Sequence, residues 1–300
     1  MASGDLAIGM IFLLQTIAGI LGNFSLLYHY LFLDYTERRL RSTDLIVTHL
    51  TVANCLVILS KGVPQTMAVL GLKDFLSDVG CKLLFYLHRV GRDVSIGTTC
   101  HLSIFQAIMI IPRNSRCAEL KQTVHKYVGI SSILCWVLCL VLNSMVPLYV
   151  TGKGSNKNIT RKIDYGYCYI VLIGKVADLF YAALVLPRDA LGVVLTLWAS
   201  SSMVFILYRH RQRIQYIHGN NRSPRSSPES TATQSILVLV STIVSLCVLS
   251  SIFHICLIVF SKPKSWLANI SAFIAVCFSA VTPYILWSQH SRPSRLGLAC

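Results

Sequence analysis

The sequence predicts an all-α membrane protein, a bundle of seven transmembrane helices with the N-terminus outside and the C-terminus inside. Three observations lead there. Hydrophobic residues make up 54% of the 300 positions and charged residues only 13%, where a soluble domain carries about 25% charged residues; mean hydropathy is +0.62. Apolar runs long enough to cross a bilayer, at roughly 20 residues each, recur along the whole chain. Arginines and lysines gather in alternate connections between those runs, as they do in cytoplasmic loops.

Taken in order, the runs cover residues 6–32, 45–70, 83–111, 128–150, 176–207, 236–260 and 266–287. The third and fifth carry charges inside. Seven spans with short loops use up the length, so residues 1–300 read as a single transmembrane domain. No basic segment or cleavage site precedes the first run, so the first helix is expected to act as its own targeting signal. Residues 208–233 form the third inner loop, with a flexible stretch rich in Asn, Ser, Pro and Arg, and residues 289–300 a short inner tail.

Orientation follows from the basic connections. Arg38, Arg39 and Arg41 follow the first run. Arg113, Arg116, Lys121 and Lys126 follow the third, and Arg209, Arg211, Arg213, Arg222 and Arg225 follow the fifth. Alternation puts all of these on one side, which the positive-inside rule makes cytoplasmic. The connection between the fourth and fifth runs dissents with Lys153, Lys157, Arg161, Lys162 and Lys175, but the opposite side holds more cations and the flank of the first helix usually dominates. The net charge of +15 is thus explained by inner loops. No aromatic-interleaved basic platform or zinc-finger spacing accompanies it, so a nucleic-acid partner is set aside.

Of the 11 cysteines, seven lie inside apolar runs and read as small core residues. Cys81 opens the third helix on the outer side and Cys168 lies in the second outer loop. Both face the oxidising compartment and are expected to form a disulfide. Of the sequons at Asn23, Asn158, Asn221 and Asn269, topology leaves only Asn158 within reach of the glycosylation machinery.

Several blocks narrow the reading. They include Asp44-Leu45-Ile46-Val47-Thr48-His49-Leu50 and Ser60-Lys61-Gly62-Val63-Pro64-Gln65 on the second helix. On the third stand Gly80-Cys81-Lys82, Tyr86-Leu87-His88-Arg89-Val90-Gly91-Arg92 and Phe105-Gln106-Ala107-Ile108, with Pro112-Arg113-Asn114-Ser115-Arg116 after it. Ser223-Pro224-Arg225-Ser226-Ser227-Pro228-Glu229 fills the third inner loop. Across nearly the whole chain these resemble the vomeronasal type-1 receptors, a pheromone-receptor family of seven-helix G-protein-coupled receptors. No Asp-Arg-Tyr-like triplet closes the third helix, Asn54 stands in place of a sodium-site Asp, and Val281-Thr282-Pro283-Tyr284 replaces Asn-Pro-x-x-Tyr. The family departs from rhodopsin-like receptors in the same way.

The resemblance implies a plasma-membrane receptor that binds a small-molecule pheromone and activates a heterotrimeric G protein of the Gi class, with no cofactor and no metal. The lipid bilayer is its other partner. Arg113, Arg116, Arg209, Arg211 and Arg213 are then candidates to face the G protein. A bitter-taste receptor is disfavoured by the Cys81 and Cys168 pair and by the His-Arg-Val-Gly-Arg block. A transporter is disfavoured by the lack of internal repeats. An enzyme is disfavoured because the histidines lack metal-site spacing and no phosphate loop or nucleophile elbow is present.

Ionisable residues at membrane depth are costly and default to a functional role. Here they are Lys61, His88, Arg89, Arg92, Asp93, Arg188 and Asp189, the candidate ligand site. Arg89 and Asp93, one helical turn apart, are expected to pair. Without His88, four cations face two anions, and the excess is expensive to bury unmatched. Either water reaches the excess from outside, with Asp93 and Asp189 neutralising the nearest arginines and Lys61 and Arg89 snorkelling outward, or an amphipathic, anionic ligand such as a sulfated or carboxylated steroid matches it. The charge of such a ligand is expected to meet Arg92 or Arg188, and its body Phe85, Tyr86, Phe180 and Tyr181.

Overall fold

The computed structural model describes residues 3–37, 41–110, 115–152, 162–171 and 265–290, together with separate helical positions between 183 and 256. The first helix, α1 (Ser3–Glu37), has two faces. Phe12, Thr16, Asn23, Leu26 and Tyr30 are buried, while Leu14, Leu21 and Tyr28 are more than half exposed. Both stripes follow the helical period, and both are largely apolar, the pattern of a helix with protein on one side and lipid on the other. Among the described residues, four stretches are long and apolar enough to cross a membrane: Leu6–Phe32, Ser42–Val69, Glu119–Tyr149 and Asn269–Ser288. They coincide with the first, second, fourth and seventh runs.

The second run is one bent rod. Helix α2 (Ser42–Val57) passes through a π-helical turn (Ile58–Gly62) into α3 (Val63–Val69). Asp44 opens it, accepting a hydrogen bond from the Arg41 amide at 3.3 Å and placing a carboxylate at the positive helix end. Pro64 follows the π turn directly. Proline lacks the N–H and its ring crowds the carbonyl four residues back; a π turn is one of the recognised ways a helix absorbs such an irregularity.

Helix α4 (Asp78–Ile110) has 33 residues, about 50 Å of rise. It packs on α2 and on α5 (Ser115–Leu142). At Gly91 a Cβ would stand 3.0 Å from the Ala53 carbonyl oxygen; the missing side chain lets the two backbones approach, as small residues do between membrane helices. Helix α5 begins 13 residues before the apolar run starts at 128, because the polar segment from Ser115 continues the same helix ahead of the run. It also ends earlier than the run, at Leu142. Pro147 lies within the 3-10 turn Val146–Tyr149 that follows, and proline disfavours helical geometry just before itself.

The chain is not wholly helical. Strands β1 (Val150–Thr151), β2 (Lys162–Asp164) and β3 (Tyr169–Val171) form an antiparallel sheet in the order β1-β3-β2, with Ile170 paired to both Val150 and Ile163. Their β-branched and aromatic residues suit a half-buried strand, but two or three residues are too few to give a sequence signal.

The C-terminal helix α6 (Ser265–His290) contains Pro283. The carbonyl four residues back belongs to Ser279 and loses its helical donor. Asn23 of α1 supplies the replacement: its Nδ2 donates to the Ser279 oxygen at 2.9 Å and to its own Gly19 carbonyl at 2.9 Å. Gly22 beside it lies so close to Pro283 that a Cβ would stand 2.9 Å from the ring. Asn23 is only 1% exposed. Asn269, another of the sequons, accepts a hydrogen bond from Gln65 Nε2 at 3.0 Å.

Two apolar clusters lie towards opposite ends of the bundle. One gathers Leu26, Ile46, Leu50, Leu102, Phe105 and Leu286. The other gathers Phe85, Val146, Tyr165 and Tyr167 around Cys81 and Cys168. The candidate site lies beside the second.

Candidate functional site

Cys81 and Cys168 are bonded, with their Cα atoms 5.7 Å apart and a sequence separation of 87. The expected disulfide is present. It ties the segment that carries the sheet to the start of α4, and further contacts hold that segment in place. Gly166, at φ 85°, turns the chain so that its carbonyl accepts from the Asp74 amide at 3.1 Å. The Tyr169 hydroxyl donates to Asp74 Oδ1 at 3.0 Å. Burial, and then the Asp74 carboxylate that its proton serves, push this phenol up to about 12.

Asp78 anchors β1 from below. Its Oδ1 accepts from Thr151 Oγ1 and from the Gly152 amide, each at 3.0 Å, and its Oδ2 pairs with Lys82 at 2.6 Å. The bond to Lys82, followed by that to the Gly152 amide, holds its carboxyl below the usual range. A depressed folded pKa contributes stability that is fully present above the unfolded value, about 3.9, and is lost as pH falls through the folded value. The difference in thermal midpoint between wild type and Asp78→Asn is therefore expected to stay constant from neutral pH down to about 4. Below that it should shrink. A difference already gone at pH 6 contradicts the assignment.

The disulfide-anchored segment covers a cavity of about 40 Å³ lined by Lys61, Phe85, His88, Arg89, Arg92, Tyr149, Tyr165, Ser250 and Ser271, among others. That is room for two or three waters. Lys61, His88, Arg89 and Arg92, read from the sequence as one group, thus come together. The burial is deep: Lys61 is 5% exposed, Arg89 4% and Arg92 9%. Lys61 is carried inward by the π turn. Its Nζ donates to the Tyr167 hydroxyl at 3.1 Å and lies 3.9 Å from the Tyr165 ring centroid, 5.3 Å from that of Phe85 and 5.5 Å from that of Tyr167.

Two residues lie elsewhere than expected. Asp93 does not line this cavity. Its Oδ2 accepts from Asn143 Nδ2 at 2.7 Å, just past the end of α5. One helical turn brings Arg89 and Asp93 to the same face, but the side chains diverge, Arg89 into the cavity and Asp93 toward α5. Tyr86, expected to flank the ligand, likewise turns to α5, where its hydroxyl donates to the Leu140 carbonyl at 3.0 Å. Arg188, Asp189, Phe180, Tyr181 and Asn158 lie outside the described residues.

Tyr149, Tyr165, Tyr167, Ser250 and Ser271 were missed by the sequence reading. No periodic signal marked Tyr165 and Tyr167: they lie in the turn between β2 and β3, where Gly166 has φ 85°, and a turn has no fixed side-chain alternation. The polar residues at other depths belong to helix packing. Ser95 Oγ donates to Asn54 Oδ1 at 2.7 Å, Trp136 Nε1 to His49 Nδ1 at 3.2 Å, and Ser131 Oγ lies 3.1 Å from His101 Nε2.

At the opposite end, Lys121 Nζ donates to the Met109 carbonyl at 2.9 Å, closing the last turn of α4. Arg209 is at a described, exposed helical position and Arg116 falls in the first turn of α5; Arg113, Arg211 and Arg213 lie outside the described residues.

Comparison with known proteins matches this sequence to a family. Residues 6–299 match the vomeronasal organ pheromone receptor family. Vomeronasal type-1 receptor 4 of Homo sapiens is 54% identical over 288 residues, covering 96% of this chain and 95% of that protein. Vomeronasal type-1 receptor 3 of Homo sapiens is 53% identical over 301 residues, covering 100% of this chain and 96% of that protein. Vomeronasal type-1 receptor 2 of Homo sapiens is 52% identical over 288 residues, covering 96% of this chain and 73% of that protein. With its membrane-spanning helices, its disulfide and a match over almost all its length, the chain belongs to the vomeronasal organ pheromone receptor family.

Proposed function

We propose that this is a seven-helix G-protein-coupled receptor of the plasma membrane, a single domain over residues 1–300 with the N-terminus outside, the C-terminus inside and a glycan at Asn158. A small-molecule pheromone enters the cavity beneath the disulfide-anchored segment and shifts a two-state bundle. The opposite, basic end activates a Gi-class heterotrimeric G protein through Arg113, Arg116, Arg209, Arg211 and Arg213. The observation that carries the reading is the convergence of Lys61, His88, Arg89 and Arg92 on one cavity closed by that segment. A disulfide at this end supports placing it outside, since such bonds persist in oxidising compartments.

Cations at this depth favour a ligand with one anionic group on an apolar body. A steroid-sized body needs more room than two or three waters occupy, so binding must widen the cavity; Asp93, Arg188 and Asp189 remain the further candidates that the sequence offers for such a ligand. The experiment is a calcium or cyclic-nucleotide assay in transfected cells, comparing steroids with their sulfate esters. Responses favouring the sulfates and abolished by pertussis toxin are expected. Responses that survive the toxin contradict the Gi assignment, and equal responses to both members of each pair contradict the anionic ligand.

A further inference from the structure

We infer that Lys61 is the anion-recognising group of this cavity, and that until an anion arrives its ammonium is parked in an aromatic cage formed by α4 and the disulfide-anchored segment. The inference rests on the receptor reading above and names the side chain that meets the ligand's charge, in place of Arg92 or Arg188.

The cage is specific to this lysine. Phe85, Tyr165 and Tyr167 present their rings to Nζ at 5.3, 3.9 and 5.5 Å, and the Tyr167 hydroxyl accepts its hydrogen bond. The side chain is 5% exposed. Among the described residues no carboxylate stands within pairing distance of Lys61. Arg89, Arg92 and His88 are each engaged in further interactions. Among the described residues, then, Lys61 Nζ is a buried amine nitrogen met by three ring faces and one phenol.

That answer is the weaker of two available. A ring face and a neutral hydroxyl attract an ammonium less than an anionic oxygen does in the same low-dielectric surroundings. Lys61 lines the cavity, so a sulfate or carboxylate placed there can draw Nζ out of the cage by a side-chain rotation. A neutral alcohol offers no more than Tyr167 already supplies, and a cation is repelled. The cage thus sets the threshold for binding: it competes with the ligand for the same ammonium. Lys61 also stands in the π turn of the second helix, so its release would change a contact that joins that helix to the covering segment.

The competition can be tested directly. Full-length receptor in detergent is titrated with ethyl sulfate, ethanol and ethylammonium at matched ionic strength, and the thermal midpoint is followed. Ethyl sulfate should raise the midpoint of wild type, and the other two should not. Lys61→Met, which fills the cage with an apolar chain of similar length, should abolish the effect, and Lys61→Arg should retain it. Tyr165→Leu should tighten binding about tenfold, because it removes the nearest ring of the cage while leaving the charge.

An ethyl sulfate effect that survives Lys61→Met overturns the inference. So does Tyr165→Leu binding that is weaker or unchanged, or the absence of any stabilisation of wild type. If Lys61→Met fails to fold, Tyr165→Leu and Lys61→Arg decide the matter. A protein that binds ethyl sulfate through Lys61 but activates no G protein refutes the signalling reading alone. One that signals to sulfated ligands independently of Lys61 refutes this inference alone.

Discussion

Cys168→Ser is expected to destabilise the receptor by about 4–5 kcal/mol in the loop-entropy account, since the bond closes a loop of 87 residues. The loss should be local in structure and global in effect. Cys168 adjoins Tyr167, which is fully buried and accepts from Lys61, and its carbonyl holds the Tyr165 amide at 3.1 Å. Without the bond the segment keeps its contacts with Asp74 and Asp78, but these are polar, partly exposed and individually small. Surface expression should fall sharply, and the thermal midpoint of what can be purified should drop. Cys81→Ser should behave alike, and the double variant no worse than either single one, because both thiols serve one bond. Normal surface levels and an unchanged midpoint for Cys168→Ser would contradict this account.

The span-forming runs were legible in the sequence because lipid imposes a plain rule, long apolar stretches with cations between them. The disulfide was legible because topology places both thiols on one side. The cavity was legible in part. Lys61, His88, Arg89 and Arg92 stood out as charges at membrane depth, and that cost is visible without a structure. What they touch was not visible. Whether Arg89 and Asp93 point the same way is a matter of side-chain direction, which helical spacing does not fix. The cage around Lys61 depends on residues more than 100 positions away in sequence, brought over by strands of two or three residues that leave no periodic trace. The early end of α5 was foreshadowed by Pro147, whereas hydropathy alone ran on to 150.

Asn23→Val is expected to destabilise the bundle by about 2 kcal/mol, and Pro283→Ala to suppress most of that loss. Pro283 deprives the Ser279 carbonyl of its helical donor, and Asn23 Nδ2 takes the vacant position at 2.9 Å. Valine keeps the volume of α1's buried face but supplies no donor. The Ser279 oxygen would then be buried beside apolar residues, away from water, where an unmatched backbone group costs about 1–3 kcal/mol by mutation. Asn23 also has a carbonyl oxygen, Oδ1, with no partner among the described residues. Its removal returns part of the loss and keeps the net figure moderate. Alanine at 283 restores the N–H that Ser279 would use in a regular helix, so the donor from α1 becomes dispensable. In a double-mutant cycle the two substitutions should couple by about 1–2 kcal/mol, more than the typical interhelical hydrogen bond in a membrane. Additive effects would mean that Asn23 contributes through packing with Gly22 and Pro283 alone. The measurement is the thermal midpoint of the four proteins in one detergent, with surface expression as a second readout.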